Sequence, residues 1–288
     1  MASLFRRLRQ NISKKMFKSL VYILACAALL LASCPAYADT ATALTEVYID
    51  TGVPAEEQPA PTGLHGILGA GLFNGERIIG DAHRRNVLLP IVLMAYKDLA
   101  YWSIGGGGVW LYHSDDRSLK FGAGLKLHPG YRPDDDPELS GMEKRKSSID
   151  GYLNALWQTP VVNIGVTYYH DVGRVSRGDA ATIRISHNFQ ITPDLRLTPS
   201  AGLEWESARL VDYYYGVRLS EALPDRPAYT GHETVNYGAG MTGAYRISRS
   251  WCFLAGLYAT HLSDGISDSP IVTRRHVKVA YFGAGWIF

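Results

Sequence analysis

Between Leu64 and Phe288 the chain is a succession of segments about 9–13 residues long, in which apolar side chains alternate with small or polar ones before turn residues intervene. Successive side chains on a strand point to opposite faces, so each segment has one apolar face and one mixed face. Beyond residue 38 the chain nowhere offers the roughly 18 consecutive apolar residues of a spanning helix. Strands of this kind build either a soluble sandwich or a barrel through a membrane, where only closure gives every backbone group a partner. The 29 glycines disfavour helix interiors and the 18 tyrosines favour strands, which agrees with an all-β chain.

The last segment points to the membrane. Counting back by twos from the terminus gives Phe288, Trp286, Ala284, Phe282 and Ala280, while Gly285, Gly283 and Tyr281 occupy the other face. One set faces lipid and the other the lumen. A terminal Phe on such a strand resembles the signal that brings outer-membrane barrels to their assembly machinery, so Phe288, Trp286 and Phe282 are the expected assembly signal. Aromatic residues recur near predicted strand ends, among them Trp110, Trp157, Tyr168 and Trp251, and suit the headgroup level.

The alternation predicts twelve strands: Leu64–Phe73, Asn86–Tyr96, Tyr101–Tyr112, Leu119–His128, Ser148–Gln158, Val161–His170, Ala180–Ile191, Leu195–Glu206, a short Asp212–Leu219, Thr234–Ile247, Trp251–Leu262 and His276–Phe288. An even number suits a bacterial barrel, but this count puts the long Pro129–Ser147 connection on the periplasmic face. Omitting Leu64–Phe73 and Asp212–Leu219 leaves ten, with nearly every long connection outside. The reading adopted is a single closed antiparallel transmembrane β-barrel of about twelve strands over residues 64–288, with ten as the alternative.

The amino-terminal residues read as an export signal. Arg6, Arg7, Arg9, Lys14, Lys15 and Lys18 precede the apolar run Leu20–Ala32, and Ala36-Tyr37-Ala38 forms a small-residue cleavage site before Asp39. Residues 1–38 are thus an expected signal peptide, cut between Ala38 and Asp39, and residues 39–63 a flexible periplasmic lead-in. A second reading stays open: Leu31-Ala32-Ser33-Cys34 resembles a lipobox, which would make Cys34 a lipidated first residue. Without residues 1–38, Cys252 is the one remaining cysteine, unable to form an internal disulfide. Taking those six basic residues from the 29 leaves 23 against 27 acidic ones, a net charge of −4, which argues against nucleic acid as a partner.

No motif carries catalysis. Ser186 and His187 are neighbours on a strand and point to opposite faces, so they form no dyad. His170-Asp171 reads as turn chemistry, and no histidine pair has zinc-enzyme spacing. Gly105–Gly108 reads as glycine inside a strand, where the wall packs closely on the lumen contents. Asp134-Asp135-Asp136 reads as a solvated loop. Catalytic, metal and cofactor residues are therefore expected to be none. The segment Asp264–Val272 is different: Asp264, Asp268 and Ser269 are expected to accept backbone N–H groups, Pro270 to set the exit, and Ile271 and Val272 to pack inwards as part of a plug.

Several of these segments together resemble the MipA/OmpV family. They are Leu89-Pro90-Ile91, Tyr213-Tyr214-Tyr215-Gly216-Val217 with Glu221-Ala222, Leu262-Ser263-Asp264 with Asp268–Val272, and the ending Gly285-Trp286-Ile287-Phe288. The resemblance covers essentially residues 64–288, although Asn74–Gly80 stands where the family has an early Pro-x-Tyr-x-Gly segment. It implies an outer-membrane barrel of a Gram-negative-type bacterium without catalytic residues, surrounded by lipid, and a scaffold bridging a lytic transglycosylase and a murein synthase. A passive or gated pore for small solutes and an outer-membrane lipid hydrolase are the alternatives.

The two readings of the leader give a first prediction. If cleavage follows Ala38, Cys34→Ala leaves the mature size and location unchanged. A fatty-acid label taken up by the wild type and not by that variant would assign lipidation to Cys34.

Overall fold

A computed structural model describes residues 63–80, 85–103 and 105–288. Residues 1–62, and with them Cys34, Ala38 and Asp39, lie outside the described residues. Thirteen strands were found: β1 (Leu64–Gly75), β2 (Arg85–Tyr96), β3 (Ala100–Ser103), β4 (Gly106–His113), β5 (Leu119–His128), β6 (Ser148–Gln158), β7 (Asn163–Asp171), β8 (Asp179–Ser186), β9 (Phe189–Thr192), β10 (Leu195–Glu206), β11 (Thr234–Arg246), β12 (Trp251–His261) and β13 (His276–Ile287). Two short helices, α1 (Ala208–Tyr215) and α2 (Asp264–Ser267), lie in connections.

Neighbouring strands are antiparallel, and β13 pairs with β1 from Ile67↔Ile287 to Gly75↔Val279, so the sheet is closed. β8 and β9 both pair with β10 and form one interrupted strand, which makes the ring twelve-stranded. Phe288 adds a last rung, since its N–H donates to Gly66 O and the N–H of Gly66 donates to Phe288 O, both at 3.1 Å.

The number twelve agrees with the sequence reading, but two of its strands do not. Tyr101–Tyr112 is not one strand; it is the β3–β4 hairpin, with Ser103 opposite Gly106. Gly105 turns the chain at φ +85°, a conformation that costs other residues a Cβ clash. Asp212–Leu219 is not a strand either. Leu210, Val211 and Tyr214, the buried residues of α1, follow a helical spacing, and Gly216 ends the helix by donating its N–H to Asp212 O at 3.0 Å. The two differences cancel in the count but not in the topology. With β3–β4 a hairpin, the long connection 129–147 moves to the same end as 76–84, 172–178, 207–233 and 262–275. Among the described residues, the connections at the opposite end are the turns 97–99, 114–118, 159–162, 193–194 and 247–250. Short turns mark the periplasmic side and long loops the outside.

The outer wall is apolar in the way lipid requires. Leu72, Leu88, Leu125, Leu153, Leu203 and Leu257 are each more than half exposed, a surface that water would not tolerate over such an area. Tyr112, Trp157, Tyr245, Trp251 and Trp286 are exposed near the turn-side ends of their strands and form an aromatic belt there. Tyr169, by contrast, is turned into the lumen and only 7% exposed.

Inside the wall, glycine and tyrosine work in pairs. Gly256 lies opposite Tyr281, Gly240 opposite Tyr258 and Gly124 opposite Tyr152. A Cβ on any of the three glycines would stand within 2.4 Å of the facing ring. The tyrosine ring covers the strand where the glycine leaves room, which allows the sheet to curve without a hole.

Phe282 and Trp286 face outwards at 55% and 44% exposure; Phe282 stacks on Phe253 and Trp286 on Phe288. Deleting Phe288 removes both rungs to Gly66 and the ring on Trp286. The deletion is expected to slow barrel assembly, followed as the heat-modifiable gel shift over time, whereas Phe288→Tyr retains it. Wild-type assembly of the deletion under strong expression would exclude Phe288 as a signal.

Candidate functional site: a capped lumen

The long connections of the outer end fold over the lumen as one unit. Ile79, Leu139, Val211, Val217, Ile266 and Ile271 belong to a single apolar cluster drawn from four connections, and it reaches the barrel rim at Leu262 and Val277. Leu139, Val211 and Ile266 are wholly buried, so the cluster is a small core in its own right. Backbone pairing joins two of the connections where Ile79 bridges to Val272, and braces two others internally where Tyr131 bridges to Arg145 and Val217 to Tyr229.

A buried ion pair braces this cap. Arg145 donates to Glu221 Oε1 and Oε2 at 2.8 Å each, and also to the carbonyls of Glu143 and Gly216 at 3.0 Å. Both side chains are about 2% exposed. Glu221 further accepts the N–H of Glu143 at 2.8 Å and of Arg218 at 3.0 Å. Burial raises the Glu221 carboxyl, but the Arg145 guanidinium and these two N–H groups outweigh it and hold it at about 2. Arg226 reaches the carbonyls of Ser140 and Glu221, both at 2.9 Å, and joins the two loops a second time. Burial pushes the Tyr131 hydroxyl up to about 12, and it donates to Tyr214 O at 2.9 Å.

The segment Asp264–Val272 lies in this cap. Ile271 and Val272 are 1% and 9% exposed and belong to the apolar cluster. Its polar residues are held differently from expectation. Asp264 and Asp268 accept Arg275 at 3.1 and 2.8 Å rather than nearby backbone N–H groups, because residues 264–267 form α2 and satisfy their own backbone. Ser269 donates to Tyr215 O at 2.5 Å, and Pro270 is half-buried. Asp136, read as part of a solvated loop, accepts Arg77 at 3.2 Å inside the protein.

Beneath the cap is a cavity of about 150 Å³. Its roof includes Ile79, Tyr131 and Tyr214, and its walls carry Lys126, Arg184, Glu204, Glu206, Asn236 and Tyr258. Sequence reading did not single out these wall residues, although each sits at an alternating position of a strand and that signal was available. Asn236 Nδ2 donates to Glu206 Oε1 at 3.1 Å, and the Arg184 guanidinium lies 4.9 Å from the Tyr258 ring centre and bonds its hydroxyl. Towards the turn end one arc of the lumen wall is apolar, where Ile91, Leu93, Cys252 and Leu254 pack with Ile67 and Ile287. Cys252 is a free, buried thiol there.

The nearest approach to a hydrolytic triad is Ser148, Asp150 and His128, and its order is wrong. Ser148 donates to Asp150 Oδ1 at 2.9 Å and His128 Nδ1 stands 3.2 Å from Asp150 Oδ2, so the carboxylate sits between serine and histidine. The His187 ring packs edge-on against Phe189. Among the described residues, no group of three or more His, Cys, Asp or Glu is arranged to hold a metal ion.

A closed barrel with an apolar outer wall, an aromatic belt and a capped lumen is an outer-membrane β-barrel protein, and the outer membrane is its location. The chain belongs to the MipA family: the family model described as MltA-interacting protein MipA matches residues 68–288. It is similar to the outer membrane protein Omp26La of Vibrio anguillarum, at 30% identity over 49% of this chain and 55% of that protein. The outer membrane protein OmpV of Vibrio cholerae matches at 29% identity with the same coverage, so the chain spans little more than half the length of these relatives. The MltA-interacting protein of Escherichia coli is 24% identical over 64% of this chain and 75% of its own length. Among solved structures, the NanC porin aligns at 10% identity and a TM-score of 0.40, covering 75% of this chain and 98% of the porin.

Two predictions concern the cap. Glu221→Ala leaves Arg145 buried without its carboxylate, which costs about 3–5 kcal/mol. Loops 129–147 and 207–233 should then become trypsin-sensitive while the barrel keeps its gel shift. The depressed Glu221 carboxyl contributes stability that is present above its unfolded value of 4.5 and is lost as pH falls towards about 2. An acid-active protease should cut these loops near the lower limit and spare them above the upper one; equal cutting at both would remove Glu221 from the account.

Proposed function

We propose that this protein is a non-enzymatic, membrane-anchored interaction protein linked to the machinery that cleaves and builds murein. The observation that carries the reading is the cap, an apolar core folded over the outer mouth of the lumen. A barrel whose outer mouth is covered is poorly suited to free diffusion, and this moves the expected work to its surfaces. The name of the Escherichia coli relative states an interaction with MltA, and the family resemblance implies a lytic transglycosylase and a murein synthase as partners. On the turn side, Val161 and Ile247 are 76% and 48% exposed and give a periplasmic enzyme apolar points of contact. The serine–carboxylate–histidine order at Ser148, Asp150 and His128 gives the hydrolase alternative no activated nucleophile.

A gated pore is the second reading, favoured by the charged cavity under the cap. Crosslinking in intact envelopes followed by purification is expected to recover murein enzymes, and planar-bilayer recordings are expected to show no steady conductance. A Gly/Ser linker in place of residues 264–272 should insert normally and raise conductance. Steady wild-type conductance with no murein enzyme recovered would favour the pore.

A further inference from the structure

Lys126 is 7% exposed and lines the cavity, yet among the described residues its ammonium finds no hydrogen-bond acceptor. Its Nζ lies 4.7 Å from the Tyr169 ring centroid, and the carboxylates of Asp150 and Glu206 are near enough to feel its charge. An ammonium has three donors, and an acceptor placed in the cavity would satisfy them. The two arginines of this cavity are engaged, Arg77 with Asp136 and Arg184 with Tyr258. Four strands round the ring, Glu204 and Glu206 occupy the same face of β10 and line the same cavity. They are separated by about 7 Å along the strand. Glu206 is held by Asn236, and among the described residues Glu204 receives no hydrogen bond.

We propose that this cavity binds a small zwitterion of amino-acid size, its carboxylate on Lys126 and its ammonium between Glu204 and Glu206. The lining mixes both signs, with Lys126 and Arg184 among Asp150, Glu204 and Glu206, so a ligand of one sign would meet a like charge. A dipolar molecule satisfies both walls, and the Tyr169 and Tyr258 rings offer flat surfaces to its short carbon chain. A volume near 150 Å³ suits a ligand of benzene's size, roughly six heavy atoms. The inference goes beyond the interaction role proposed above and does not depend on it.

The test uses the whole mature chain, refolded with the ligand present so that the cap cannot exclude it. L-Alanine and 4-aminobutyrate serve as zwitterions with short and long charge separation, and propionate and ethylamine as their singly charged halves. Displacement of labelled ligand is measured on barrel that shows the heat-modifiable gel shift. At least one zwitterion is expected to bind, with both halves weaker by about tenfold or more, the loss of one charge-assisted hydrogen bond. Lys126→Met should reduce zwitterion affinity by a similar factor, and so should Glu204→Gln. Binding of neither zwitterion, or halves that bind as well as the whole, overturns the proposal. A folded Lys126→Met that binds like the wild type overturns it too. Should the variants fail to fold, the four-ligand comparison on the wild type decides alone.

Discussion

Everything in this molecule depends on the pairing of β13 with β1. Within hydrocarbon an open sheet edge leaves backbone N–H and C=O groups without partners, each at a cost of several kcal/mol. The seam runs from Ile67↔Ile287 to Gly75↔Val279 and is extended by the two Gly66–Phe288 bonds. Its middle is built of small residues, with Gly69 opposite Gly285, Ala70 opposite Ala284 and Gly71 opposite Gly283. A Cβ at Gly69 would stand 2.0 Å from Ala284 O, so the close approach of the two strands excludes any larger residue there. Bulk is supplied instead by Ile91 from the next strand, whose Cδ1 reaches over Gly283.

Closure creates a second problem, because a ring of twelve strands encloses more space than its own side chains fill automatically. The chain answers it at two levels. Tyrosines lie across facing glycines along the wall, and the outer connections donate Leu139, Val211, Ile266 and Ile271 to a core above the lumen. The Arg145–Glu221 pair adds little net stability by itself, since desolvation offsets much of its attraction. It ties loop 129–147 to loop 207–233 through two bonds of 2.8 Å, and moving either loop alone would break them.

Between cap and turn-side packing lies a polar layer that neither level requires. Charged groups in a membrane protein interior are expensive and mark a function more often than a structural need. Lys126, Glu204 and Glu206 could be apolar without harming the wall, whose pairing is made by backbone groups. The proposed interaction role and the proposed ligand cavity would thus use different parts of one barrel, the first its rim and the second its interior.

The strand class, the facing of residues 280–288 and the membrane setting were legible in the sequence, because period-two alternation and a terminal aromatic are local signals. So was the inward tendency of Ile271 and Val272, apolar residues where a solvated tip has none. Two local readings failed for physical reasons. A run of glycines hides the β3–β4 turn, since glycine carries neither an apolar nor a polar mark. Three adjacent tyrosines favour a strand, yet burial of Leu210, Val211 and Tyr214 on one side made a helix. The cavity was beyond reach of the sequence altogether. Lys126, Arg184, Glu204 and Glu206 lie on three different strands. Their meeting depends on how the closed ring sets those strands round a common lumen, and that only the tertiary structure decides.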